Sequence, residues 1–142
     1  MVPAHQQKPV NTQLQPRWLS LLIGPELVWL LTYVAVALLA KANDPPSQRV
    51  DNLIENLAFL IPVVAALLFI LWYVPDADKR WLLLRVWVAG LFGAHLSMEK
   101  GMLAYSEQGP GIGTAYIVGM GLVLVVLVVG SLFVLIRFRT RS

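Results

Sequence analysis

Four stretches of the chain are apolar almost without interruption, and short polar segments separate them. They run from Trp18 to Ala40, Leu53 to Val74, Trp81 to Leu103 and Gly111 to Ile136. A helix needs about 20 residues to cross the hydrocarbon core of a bilayer, and each stretch meets that length. None alternates at every second position, as barrel strands of about 10 residues do. The pattern predicts an all-α integral membrane protein with four transmembrane helices. A polar tail (1–17) precedes the helical domain (18–136), and a basic tail (137–142) follows it.

The connections are short: KANDPPSQRVDN, PDADKR and AYSEQGPG. Asp-Pro-Pro and Gly-Pro-Gly break helices, because proline restricts itself and the residue before it. Asp76 or Asp78 can cap the third helix. Short links imply antiparallel neighbours, hence an up-down-up-down bundle. Lysine and arginine set the orientation. The two tails, the middle loop and Arg85 hold eight of them, against Lys41, Arg49 and Lys100 on the other side. The positive-inside rule places both termini in the cytoplasm, in a bacterial inner (cytoplasmic) membrane. The tail has no signal-peptide pattern, so the first helix is expected to stay as an anchor. Proline and glutamine in MVPAHQQKPVNTQLQP offer little to bury, and disorder is expected unless a partner holds it.

Composition agrees with the pattern. The chain of 142 residues is 58% hydrophobic and 13% charged, where a soluble domain carries about 25% charge. It has no cysteine, which excludes disulfides, thiolate metal sites and cysteine nucleophiles. The net charge of +3 reads as topology and contact with anionic lipid, and no nucleic-acid partner is expected.

Gly24-Pro25 interrupts the first stretch, which leaves two readings. The helix kinks there, or PRWLSLLI (16–23) lies on the membrane surface and the crossing starts at Pro25. Pro62 is expected to kink the second helix.

Ionisable groups inside a bilayer are costly, so each is a candidate for function. If the helix starts at Pro25, Glu26 sits in its first turn, where the helix dipole favours a carboxylate. If the helix starts at Trp18, Glu26 lies about 12 Å deep. There it can carry a proton or pair with Arg85. Arg85 alternatively snorkels to the surface. Glu55 opens the second helix and suits the dipole there. His95 and Glu99 share one face of the third helix. Histidine there can bond a quinone, ligate a metal or shuttle a proton, and Glu55, His95 and Glu99 can converge. The competing reading is a polar rim, with Glu99 paired to Lys41, Lys100 or Arg49.

No di-iron, nucleotide-loop, nucleophile-elbow or HExxH motif is present, and no metal site or specific cofactor is predicted. Ala89 with Gly93 and Gly90 with Ala94 form small-xxx-small pairs, and Gly113, Gly119, Gly121 and Gly130 are expected to pack similarly on the fourth helix.

Three functions follow as expectations. The first is an accessory or scaffold subunit of a larger bacterial membrane complex, respiratory or photosynthetic, with a lipid or quinone contact. Its partners are membrane lipids and other membrane subunits or further copies of the chain. The second is a membrane enzyme, of isomerase or cyclase type, using His95 and Glu99 with Glu55 on a lipophilic substrate. The third is a small oligomeric proton-coupled transporter using Glu26.

Overall fold

A computed structural model describes residues 24–74, 79 and 81–139. Four helices form among the described residues: α1 (Pro25–Ala42), α2 (Gln48–Leu67), α3 (Leu82–Leu103) and α4 (Pro110–Arg139). The 3-10 segment Leu68–Tyr73 continues α2. All four helices are long and apolar enough to cross a membrane.

The helix starts follow local chemistry. Extended Gly24 precedes α1, and Pro25 takes its first position. A proline there loses no hydrogen bond, because the first helical N–H groups have no partner in the helix. The described helix therefore begins at Pro25, while residues 18–23 and the surface-segment reading lie outside the described residues. α2 starts earlier than Leu53, because the Ser47 hydroxyl accepts from the Val50 N–H and caps it. Pro62 is buried within α2, which stays helical on both sides of it. Trp81 precedes α3 without a side-chain cap. The expected caps, Asp76 and Asp78, lie outside the described residues.

Consecutive helices are not the main partners. α1 packs chiefly on α3, and α2 chiefly on α4, with α3 also touching α2 and α4. Glycines mark the close approaches. Gly93 lies against Trp29, and Gly101 against Val36 and Leu57. Those α1 and α3 positions rise together along both helices. Gly119 lies against Met98 and the Ala58 backbone, and Gly130 against Phe69. Gly90 faces Leu127, and Ala94 is fully buried. Gly113 and Gly121 face open space, where an added Cβ meets nothing within 4 Å. The packing expected of those two is not made among the described residues.

The centre holds Ile54, Ile61, Leu68, Val86, Met98, Val123 and Leu127. Most of each helix remains uncovered, and the exposed residues are large and apolar, such as Leu30, Phe59, Phe92 and Ile117. In water such a surface would aggregate. Around a bilayer-spanning bundle, lipid tails cover it.

Candidate functional site

The polar side chains gather at three places. The first is the Gly24 end of α1 and α3. Arg85 Nε donates to Glu26 Oε1 at 2.7 Å, and Nη2 donates to Oε2 at 2.6 Å. Two parallel N–H···O bonds give the planar guanidinium its preferred geometry on a carboxylate. Glu26 sits in the first turn of α1, where the dipole favours its charge. The ion pair and the first-turn reading of Glu26 thus hold together. The guanidinium also lies over Gly24, where a side chain would collide with it.

The second place is the opposite end of those helices. Asn43 is 5% exposed and lies just after α1. Its amide donates to Asp51 Oδ1 at 2.8 Å and to the Ala104 carbonyl at 2.7 Å, while its Oδ1 accepts from the Ser47 N–H at 3.0 Å. Asp51 also accepts from the Ser106 N–H at 3.1 Å and from the Ser106 hydroxyl. One amide and one carboxylate thereby join the ends of α1 and α3 to the start of α2. The Tyr105 hydroxyl donates to Glu55. Ionising the phenol beside that carboxylate would destroy the bond and set two negative charges together, so the Tyr105 pKa is pushed up to about 12. Gln108 donates to the Tyr105 carbonyl at 2.7 Å and to the Met102 carbonyl at 3.1 Å, closing the end of α3.

The third place is the outer surface of α3 and α4. His95 Nδ1 and the Tyr116 hydroxyl share a hydrogen bond at 2.6 Å. His95 Nε2 stands 3.7 Å from Glu99 Oε2. The ring of His95 therefore has a hydroxyl on one nitrogen and a carboxylate near the other. That arrangement can hold the imidazole in place and pass a proton along it.

Two open-sided recesses flank this region. One, of about 600 Å³, is lined by Glu55, Phe59, Tyr105, Glu107, Ile112 and Val118 among others. The other, of about 380 Å³, is lined by His95, Glu99, Met102, Leu103, Gly113 and Tyr116, with Gln108 and Ile112 common to both. His95 and Glu99 stay together as their spacing requires, but Glu55 lines the other recess. Lys41, Lys100 and Arg49 form no ion pair with Glu99 among the described residues. No group of three histidine, aspartate or glutamate residues suited to a metal ion occurs among the described residues.

Sequence reasoning passed over Asn43, Tyr105, Ser106, Gln108 and Tyr116. A signal existed for Asn43: it falls at the end of an apolar run, before Asp-Pro-Pro, where an amide is the natural bridge between helix ends. Nothing local marked Tyr116, which meets His95 only once α4 lies beside α3. The chain matches no family model, no curated protein and no solved structure.

Proposed function

We propose that the chain is a small membrane subunit that works by association, as an accessory or scaffold component of a larger bacterial membrane assembly. In this reading the bundle alternates up and down, with both termini in the cytoplasm of a cell bounded by an inner membrane. The parallel rise of the α1–α3 contacts supports the alternation, and the lysine and arginine asymmetry supports the orientation. The observation that carries the functional reading is the use of charge. Glu26, the carboxylate on which transport would depend, is held by two bonds from Arg85. Asp51 is spent on joining helix ends. Beside them stand a large apolar exterior, broken by His95 and Glu99, and the two open-sided recesses, which suit lipid or quinone tails.

The test is purification from native membranes in mild detergent, followed by identification of everything that copurifies. Stoichiometric membrane subunits support the reading. A chain that purifies alone, or only with itself and with no further subunit, removes the larger assembly.

A second reading has one observation behind it. The line Tyr116–His95–Glu99, hydrogen-bonded between Tyr116 and His95 and with Glu99 3.7 Å from the ring, borders a recess, as an acid–base site for a lipophilic substrate would. Under it, His95→Ala and Glu99→Gln abolish turnover of added isoprenoid or sterol substrates while the chain still folds. Unchanged turnover sinks it.

A further inference from the structure

The exposed face of α3 and α4 differs from the rest of the exterior. Elsewhere the exposed middle of the helices is mainly aliphatic and aromatic, as on α2 with Phe59, Leu60 and Val63. On α3, His95 and Glu99 are 46% and 52% exposed and border a recess lined also by Met102, Leu103 and Ile112. His95 sits about 12 Å before Leu103 at ~1.5 Å per residue, within the depth of a hydrocarbon core for a helix of this length. Left against lipid tails, imidazole and carboxylate would be unsolvated, and such groups in membrane helices face protein or water. Tyr116 meets one ring nitrogen, but the second nitrogen and the carboxylate remain 3.7 Å apart, too far for a good hydrogen bond.

We propose that this face is the contact between two copies of the chain, related by a two-fold axis along the membrane normal. The inference rests on the association reading above and names one partner within it. The patch is self-complementary. It carries a hydrogen-bonding ring and an acceptor carboxylate one helical turn apart, and in a two-fold contact residue i meets j while j meets i. His95 of each copy thus meets Glu99 of the other, and the ion pair or hydrogen bond that is loose within one chain closes between two. Phe92 and Ile117, 67% and 71% exposed, flank the polar pair. Gly113 has open space over it, so a second backbone can come close there.

The absence of cysteine makes the test direct. Single cysteines are placed at Phe92→Cys and Ile117→Cys, with Leu60→Cys on exposed α2 as the control. Oxidation in native membranes is expected to give disulfide dimers at the first two positions, severalfold above the control. If one of the two variants fails to fold, the other decides. Glu99→Gln in fluorescently labelled, liposome-reconstituted protein is expected to weaken self-association about 3- to 15-fold. No dimer at positions 92 and 117, with a larger protein crosslinked there by a bifunctional reagent, overturns the two-copy contact and leaves the subunit reading standing. No crosslink at either position from a chain that also purifies alone overturns both. Equal dimer at all three positions means random collision and overturns the proposed face.

Discussion

The two ends of the α1–α3 pair are tied in opposite ways. At one end a charged pair, Glu26 and Arg85, reaches across between side chains that are 50% and 23% exposed. At the other a buried neutral amide, Asn43, makes three bonds, two to backbone groups. Water, ions and lipid headgroups can replace the partners of the first pair when it breaks. They have no comparable access to the second. Number of charges is therefore a poor guide to which end holds the bundle. The amide end fixes where three elements begin and stop, whereas the ion pair aligns two helices already packed through Gly93 and Trp29.

The sharpest break of this comparison is Asn43→Ala. It removes three hydrogen bonds worth about 1 kcal/mol each, and we expect a loss of about 2–3 kcal/mol. The readout is unfolding in mixed micelles. A loss no larger than that of an ion-pair mutant would reverse the ranking of the two ends.

Next comes the seam between the ends. A Cβ at Gly93 would stand 2.6 Å from Trp29 Cβ, against the base of a rigid indole. Gly93→Ala is therefore expected to cost about 1–3 kcal/mol by overpacking. Gly121→Ala, in open space, should change monomer stability by less than about 0.5 kcal/mol. Equal effects at the two glycines would mean that the close approach of α1 to α3 is not what the seam depends on.

The ion-pair end should respond less. Glu26→Gln keeps shape and removes charge, and for so exposed a pair we expect less than about 1 kcal/mol, shrinking further in high salt. A larger, salt-independent loss would show that the pair is sealed from water in the membrane and would raise this end to the rank of the other.

The smallest effect distinguishes Tyr105 from its neighbours. Its phenol, ordinarily near 10, is raised to about 12 by Glu55. A raised value in the folded state favours the neutral phenol there. The stabilisation is complete below about pH 10 and disappears as pH climbs through about 12. Phenolate absorbance should show this late titration, and Tyr105→Phe should remove both it and the associated loss of stability. Titration at the ordinary value would mean that the bond to Glu55 does not persist.

Much of the architecture was legible because a bilayer leaves few options. Four apolar stretches long enough to span could only be helices, and Pro25 and Pro110 begin helices for local reasons, whereas the second helix starts at the Ser47 cap ahead of the expected Leu53. The Gly90, Gly93 and Ala94 approaches were readable from size alone. Residues that act across helices were not. Tyr116 and His95 are separated by a loop and about four helical turns, and their hydrogen bond and ring contact reveal the pair only once the helices are packed.

Spacing alone determined that His95 and Glu99 share a face, and composition determined that the chain is built for a membrane. Only the tertiary structure decided that α1 lies on α3 rather than chiefly on α2, that Arg85 closes on Glu26, and that Glu55 joins Tyr105 instead of His95. Hydrophobic pattern acts along one helix and is fixed by the order of residues. Pairing between helices depends on which small residues admit which large ones, as Gly93 admits Trp29. That choice is made by packing across the whole bundle, over distances the sequence order does not record.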